Sequence, residues 1–483
     1  MNKPFSTFFI ILGLLVTGCS SNTDPTTTTS GSTSSDPSHD YKYQCSITWD
    51  GYTPSATFSI PDGSMTSDEI ALLFDEKISQ KVIDYPTEET KGTREHKVKY
   101  VLKEDDTFFF ESSTSNEEFE FQHVDTNAPQ VVNYLRAQTE QEQFDALQAG
   151  KGKDLDYNRL TLNFHKYGRE QTSIYLASDA AFTTDVVKYQ TTEETYDLNY
   201  LIPGETYYWK AVGKASQEEF DGGLFKVNSD NVRFANYDRV GNMRDLGGWK
   251  TSENTRIKYG MVFRGRNPDS LNPTQKDDIT ANYGFKTQID LRYDADGGIG
   301  VRICPNVAYY YTNTARQYNH TLDEDKYLNE KAGILISPDE DNGERLTYAQ
   351  LFQKVFKVLA KEESYPLYFH CIHGADRTGT LAYLIEGVLG VESNDLIKDY
   401  ELTTFCSKSG IRTRRPVKSD NSGFADPVAS YQSGTSNYEQ MNLLIDPQPG
   451  SSLQEKIESY LINKVGVAAA DIAAMKNLLI EQH

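Results

Sequence analysis

Cys371 and Arg377 bracket five residues, Ile372-His373-Gly374-Ala375-Asp376, with His370 before them and Thr378-Gly379 after. These residue types in this order suit the hydrolysis of a phosphate ester. The nucleophile such chemistry wants is a thiolate, at a position whose dipoles lower its pKa below the free value of about 8.5. An arginine a short loop away can fold over the same cavity, where its planar fork pairs with two phosphate oxygens and holds the charge of the transition state. Gly374 lets the backbone curl without a Cβ clash. Thr378 is expected to donate a hydroxyl hydrogen bond to the Cys371 sulfur and stabilise it as a leaving group. A carboxylic acid is still required to protonate the departing oxygen. A metal site on His370, Cys371 and His373 is a poorer reading, because adjacent ligands seldom converge on one ion and no second Cys/His cluster completes it. No metal or cofactor is expected.

The elements that must position these groups are legible on either side. Tyr365–Phe369 reads as a short buried strand, and the apolar run Thr380–Leu389 as a helix ending at Gly390, a suitable C-cap. The reactive stretch therefore spans a strand-to-helix turn, where backbone N–H groups converge at a helix N-terminus and bind an anion.

Cys-(five residues)-Arg-Thr-Gly behind a His and an apolar strand resembles the protein tyrosine phosphatase signature. Two further stretches narrow the resemblance. Asn242-Met243-Arg244-Asp245-Leu246-Gly247-Gly248 is followed by Gly260–Arg264, and then by Tyr283–Arg292 with Asp290-Leu291-Arg292 at its end. This order resembles the bacterial tyrosine/dual-specificity phosphatases with Asn-x-Arg-Asp-Leu-Gly-Gly and Asp-Leu-Arg signatures, a family that includes secreted members acting on phosphoinositides. The resemblance covers 232–483, including a helix at Leu453–Lys464. It implies that Cys371 is the nucleophile and Arg377 the phosphate-binding arginine, within a loop of Ile372, His373, Gly374, Ala375, Asp376 and Arg377 supported by His370 and Thr378. Asp376 matches an in-loop acid; its other reading is structural, holding the loop by hydrogen bonds. Asn242, Arg244, Asp245, Asp290 and Arg292 match scaffold positions and read as buried polar pairs, with Asp245 the reserve acid.

Family members often carry Ala-Gly-Lys-Asp-Arg where this chain has His373-Gly374-Ala375-Asp376-Arg377. The missing Lys removes a point charge that favours multiply phosphorylated inositides. His373 offers a partial substitute, since an imidazole titrates near neutrality; a plain exposed loop histidine is the other reading. Arg412, Arg414, Arg415 and Lys418 cluster in Gly410–Lys418 and form either a second phosphate site or a solvated basic loop.

Upstream the chain reads differently. Met-Asn-Lys, an apolar run from Phe8 to Val16, and Thr17-Gly18 before Cys19 describe an export signal over 1–18, too short to span a bilayer. Val16-Thr17-Gly18-Cys19 looks like a bacterial lipobox, which implies lipidation of Cys19 and a membrane or cell-surface anchor. Thirteen of the 21 residues from Ser20 to Asp40 are Ser or Thr, so 19–40 reads as a flexible tether. Residues 41–124 carry strand-like runs (Ser55–Ile60, His96–Leu102, Thr107–Glu111) and one helix-like run, Ser67–Ile78, and suggest a β-sandwich of unknown type. Within 125–231, Leu160–Phe164, Ser173–Ala177, Thr195–Leu198 and Tyr207–Val212 are strands at sandwich spacing. There Leu201-Ile202-Pro203-Gly204-Glu205-Thr206-Tyr207 resembles the tyrosine corner of fibronectin type III domains, which implies a spacer or binding module facing an unknown surface partner.

The chain has 483 residues and a net charge of −22. Only −4 of that belongs to 232–483; the two upstream β segments carry −9 and −7. So acidic a chain lacks the positive face a nucleic-acid binder needs. Five cysteines are too few for a disulfide scaffold. If Cys19 is lipidated, Cys45, Cys304 and Cys406 remain beside Cys371 and are expected as unpaired core thiols, with a reversible disulfide to Cys371 from Cys304 or Cys406 the lesser reading. The expected architecture is an α/β phosphatase domain, a central sheet flanked by helices, behind two small all-β domains. The expected function is a surface-anchored protein tyrosine (dual-specificity) phosphatase acting on phosphoproteins or small phosphomonoesters. The alternatives are a phosphoinositide or inositol-phosphate phosphatase of the same mechanism, or a weakly catalytic phosphate-binding adhesion lipoprotein.

Overall fold

The computed structural model describes residues 122–482, apart from internal stretches of which 313–327, 335–344 and 427–437 are the longest, and upstream of 122 the backbone of four strands. The export signal, Cys19, the Ser/Thr tether, the strand expected at Ser55–Ile60 and the helix expected at Ser67–Ile78 lie outside the described residues. Among the described residues no helix is long and apolar enough to cross a membrane. The chain divides into two compact units. One holds 162–196, 206–226 and everything upstream of 124; the other holds 124–161, 197–205 and 227–483.

In the first unit, Arg94–Leu102 and Thr107–Glu117 pair antiparallel, with Tyr43–Ser46 and Met65–Thr66 on their outer edges. A second antiparallel sheet pairs Thr206–Gly213 with Thr172–Ala177 on one side and Glu219–Val227 on the other, with Val187–Thr191 beyond Thr172–Ala177. Thr172–Ala177 and Thr206–Gly213 overlap the strands expected at Ser173–Ala177 and Tyr207–Val212, and Tyr207 stacks on Phe225 at 5.6 Å.

The start of 125–231 departs from an all-β reading. Pro129–Arg136 (α1) and Glu140–Gly150 (α2) are helices. Pro129 sits in the first turn of α1, where its missing N–H costs nothing. Thr139 and Glu142 close a capping box on α2. Each helix is too short to display much periodicity in sequence, and each owes its stability to an apolar face packed in the second unit. Val131, Tyr134, Leu135, Phe144 and Leu147 join Val232, Phe234, Leu402, Phe405, Cys406 and Phe424 in one buried cluster.

The rest of the second unit is an α/β layer structure. Its sheet contains Arg244–Asp245 (β1), Val262–Gly265 (β2), Thr287–Asp290 (β3), Ala308–Tyr311 (β4) and Leu367–His370 (β5) in the order β1-β2-β5-β3-β4. Four of these run parallel and β1 closes one edge antiparallel. Parallel strands buried on both faces are apolar runs, and every residue of β5 is buried. Helices Pro273–Tyr283 (α3), Tyr348–Leu359 (α4), Asp376–Leu389 (α5), Ser393–Leu402 (α6), Leu453–Tyr460 (α7) and Ala469–Leu479 (α8) complete the layers that matter here. Helix α5 is buried on every side from Thr378 to Leu389, which explains a stretch without a polar face. It ends at Gly390, left-handed at φ +105°, as its sequence suggests. The late helix runs on from Tyr460 as a π turn, Leu461–Val465.

Because α1 and α2 share a core with the sheet's helices, Phe144→Ala is expected to destabilise the unit that carries Cys371. Phe144 is 2% exposed and meets Phe424 edge-on at 5.1 Å. The cost should be about 3–5 kcal/mol. Thermal unfolding followed at the single transition that abolishes activity checks it; an unchanged midpoint would show α1 and α2 to be independent of that unit.

Candidate active site

The reactive loop begins where β5 ends. Its neighbours β2 and β3 end at the same level, at Gly265 and Asp290, so the site lies beyond the carboxyl ends of three parallel strands, where open α/β sheets place ligands.

The backbone of the loop is held from outside. The Cys371 carbonyl contacts His370 Nδ1 at 3.1 Å. The Ile372 carbonyl accepts from the Asn267 amide and from Asn267 Nδ2, at 3.2 and 3.1 Å. Asn242 Nδ2 donates to the carbonyls of His373 and Gly374, at 3.1 and 3.0 Å. Arg264 Nη2 donates to those of Gly374 and Ala375, at 2.9 and 3.3 Å. A trans peptide points its C=O and N–H in opposite directions. Five carbonyls turned outward therefore turn the amides of Ile372, His373, Gly374, Ala375 and Asp376 inward, toward the space Cys371 faces. With the first turn of α5 behind them, these dipoles form an anion cradle.

The curl of this loop depends on two glycines in contact. Gly374 has φ +65°, and a Cβ there would lie 2.3 Å from the backbone carbon and oxygen of Gly265. A Cβ on Gly265 would in turn meet the Tyr368 hydroxyl at 2.6 Å. Only hydrogen side chains allow β2 and the loop to approach this closely.

Charged groups are paired around the cradle. Arg377 Nη1 donates to Asp296 Oδ2 at 2.6 Å and to the Leu291 carbonyl at 3.1 Å, which fixes its guanidinium from the loop after β3. Arg412 makes a bidentate pair with Asp376, both contacts at 2.6 Å. Beneath the loop, Asp399 on α6 bridges Arg244 and Arg264, all three buried. Burial alone would raise the Asp399 pKa, but the two guanidiniums outweigh it and hold the carboxylate below its ordinary value. Asp290 and Arg292 pair at 2.7 Å, with Asp269 and the Gly298 carbonyl completing the Arg292 shell. His370 is fully buried. Gln288 Nε2 donates toward its Nε2 at 2.9 Å, which places the proton on Nδ1, facing the Cys371 carbonyl. Burial pushes the His370 pKa down and keeps the ring neutral.

The residues of this site fall within the span of a match to a known family. The family model for the tyrosine phosphatase family matches residues 235–481. The chain belongs to the tyrosine phosphatase family. No curated protein matches it at a significant level. Among solved structures, the core catalytic domain of a PP-IP phosphatase from S. cerevisiae, in complex with citrate, is similar over 30% of this chain and 72% of its own. The identity is 13% and the TM-score 0.19, too low to support any argument.

Within this tyrosine phosphatase module the expected site residues divide. Cys371, Ile372–Arg377 and His370 come together as one loop. Asn242, Arg244, Asp290 and Arg292 are the buried polar pairs the sequence suggested. Asp245 turns away from the loop. It accepts from the amides of Gly247 and Gly260 and pairs with Arg233, and burial raises its pKa; it holds a turn and is a poor reserve acid. Thr378 does not bond the Cys371 sulfur: its hydroxyl is buried without a hydrogen-bond partner among the described residues. His373 is exposed. Its pKa is lowered by burial of part of the ring and then by Arg266 and Arg412, so it is a weak source of positive charge at neutral pH. The basic cluster is split. Arg412 reaches Asp376, whereas Arg414 is buried on Glu401 and Arg415 is paired with Glu140 and Glu439, so neither of the last two forms a phosphate site.

Sequence reasoning missed Arg264, Asn267, Asp296 and Asp399. Arg264 lay in the Gly260–Arg264 stretch and could have been singled out as a charge closing an apolar strand. The other three are common polar residues whose roles exist only through distant partners: Asn267 and Asp296 through the loop, Asp399 through Arg244 and Arg264. Among the described residues no group of His, Cys, Asp or Glu converges to hold a metal ion.

Gly374→Ala should force the loop off Gly265. We expect a loss of about 2–5 kcal/mol in stability and of most turnover. Calorimetry with activity measured on the same sample checks this, and an active, equally stable variant would show that the contact is not needed.

Proposed function

We propose that the chain is a cysteine-dependent phosphomonoester hydrolase of protein tyrosine (dual-specificity) type, exported and held at a bacterial membrane or surface by lipid on Cys19. The observation that carries the catalytic part is the inward row of amides facing Cys371, with Arg377 oriented beside it. In this reading the Cys371 thiolate attacks phosphorus as the bond to the leaving oxygen breaks, and cysteinyl-phosphate forms. Arg377 and the loop amides hold the three non-bridging oxygens through the transition state. Asp376 protonates the departing alkoxide or phenoxide. Water then gives a proton to the Asp376 carboxylate and attacks phosphorus, the S–P bond breaks, and the thiolate and inorganic phosphate are released. Arg412 orients the Asp376 carboxyl group at the start of α5 through both of its oxygens.

One observation supports the inositol-phosphate alternative. Arg266 and Arg412 act on the loop beside Arg377, so positive charge absent at Ala375 is supplied from elsewhere in the chain. A panel of phosphotyrosine, phosphoserine and phosphothreonine peptides, phosphoinositides and inositol phosphates separates the two.

The full chain should hydrolyse p-nitrophenyl phosphate, and Cys371→Ser should abolish turnover. Asp376→Asn should cost about 10²-fold in kcat on phenyl phosphate and far less on p-nitrophenyl phosphate, whose phenoxide leaves without a proton. Turnover retained in Cys371→Ser would sink the mechanism; equal losses on both esters would remove Asp376 as the acid. The anchor has its own check. Cys19→Ala should move the protein from the membrane fraction to the soluble one and end its labelling by radioactive palmitate.

A further inference from the structure

The family module spans 235–481, yet the segment that carries Arg412 is fastened to residues far upstream of it. Two attachments flank Arg412. On one side its amide donates to Thr404 Oγ1 at 2.9 Å, and the Thr404 hydroxyl donates back to the Arg412 carbonyl. The next residue, Phe405, packs on Tyr134 of α1 at 5.5 Å, and its carbonyl accepts from the Leu155 amide at 2.7 Å. On the other side, Arg414 is 4% exposed and pairs with Glu401, which also accepts from the Tyr134 hydroxyl at 2.6 Å. Arg414 Nη2 donates to Gln143 Oε1 on α2. The Gln143 amide is oriented by donating to the Ala137 carbonyl and to Asn394 Oδ1, at 3.3 and 3.2 Å. Arg415 pairs with Glu140, also on α2. Lys398 on α6 donates to the Leu135 carbonyl at 2.8 Å.

We propose that α1 and α2 are a positioning device for the active site: by fixing Phe405, Arg414 and Arg415 they hold Arg412 on Asp376, so that turnover depends on residues outside the family module. The physical reason is the burial of Arg414. A buried guanidinium that loses an acceptor is left with unpaired donors, a costly state that it escapes by moving out. Arg412 is two residues away, about 7 Å of extended chain at most, and moves with it. Asp376, the first residue of α5, then loses the guanidinium of Arg412. The dependence of turnover rests on the phosphatase reading above; the positioning itself does not.

Gln143→Leu removes the acceptor on α2 and touches nothing in the loop. In the full chain, at a temperature well below its melting midpoint, this variant should lower kcat/KM on phenyl phosphate, whose leaving group needs the acid, about tenfold, and in an Arg412→Ala background by less than about twofold, because both changes act through one contact. Hydrogen exchange read on peptides covering 371–377 and 410–415 should quicken in Gln143→Leu and stay at the wild-type rate in distant α4. Should Gln143→Leu fail to fold, Tyr134→Phe, which deletes only the hydroxyl on Glu401, gives the same comparison. Equal losses of kcat/KM in both backgrounds, or a lowered melting point with unchanged exchange at 371–377 and 410–415, overturns the proposal. A wild-type chain without turnover would refute the phosphatase reading instead, and the exchange data would still decide whether α1 and α2 position the loop.

Discussion

The outward pinning of the carbonyls from Cys371 to Ala375 is the constraint on which the site depends. Buried carbonyls need donors. Asn242, Arg264, Asn267 and His370 supply them from β2, β5 and the segments that border β1 and β2. Once each carbonyl is taken on the outside, planarity of the peptide sends the amides inward. An isolated seven-residue loop would not hold such an arrangement, since the like-oriented dipoles repel and each fixed residue costs about 1–2 kcal/mol of conformational entropy. The sheet and α5 must hold it, and much of the polar interior of this unit serves that end.

That need explains why so many charges are buried beneath the loop. Arg264 spends one end of its guanidinium on loop carbonyls and the other on Asp399; Arg244 takes the remaining side of Asp399 and also reaches Asn242. Asn242 is thereby aimed at the loop by a residue two positions on. Buried pairs of this kind seldom add stability compared with apolar packing, and removing one partner is expensive. Their return here is geometric. Rigid forks and amides fix the direction of each loop carbonyl, which flexible or apolar side chains would not do. Arg377 follows the same rule: Asp296 and the Leu291 carbonyl restrain one face of the guanidinium before any phosphate arrives.

Positive charge at the mouth of the loop is assembled from separate parts of the chain. Ala375 contributes none, His373 is held toward neutrality, and Arg266 and Arg412 arrive from 109 and 37 residues away from the loop's Ala375 along the sequence. The acidity of the whole chain belongs chiefly to the upstream segments, and charges beyond a Debye length, about 8 Å at physiological salt, are screened. A few focused arginines and amide dipoles therefore govern an incoming phosphate more than the net charge does.

Local chemistry made part of this legible in sequence. The order His370-Cys371-(five residues)-Arg377-Thr378-Gly379, the apolar strand before it and the apolar helix ending at Gly390 are set by the types of neighbouring residues, because a strand-to-helix anion loop is a local object. Asn242, Arg244, Asp290 and Arg292 were visible as polar residues in otherwise buried elements. The all-β expectation for 125–231 failed at 129–150, because two short helices stabilised by distant partners carry little periodicity of their own. Thr378, Asp245, Arg414 and Arg415 lost their expected roles for a related reason: residue type tells what a side chain can do, while its direction depends on the packed element that carries it. Asn267, Asp296 and Asp399 matter only because the sheet order β1-β2-β5-β3-β4 brings the ends of strands far apart in sequence to one level. What residue types and spacing determined by themselves was the chemistry of the nucleophile and its arginine. What only the tertiary structure decided was which donors, anions and helices hold that pair in place, since contacts between residues far apart in sequence leave no local trace in the chain.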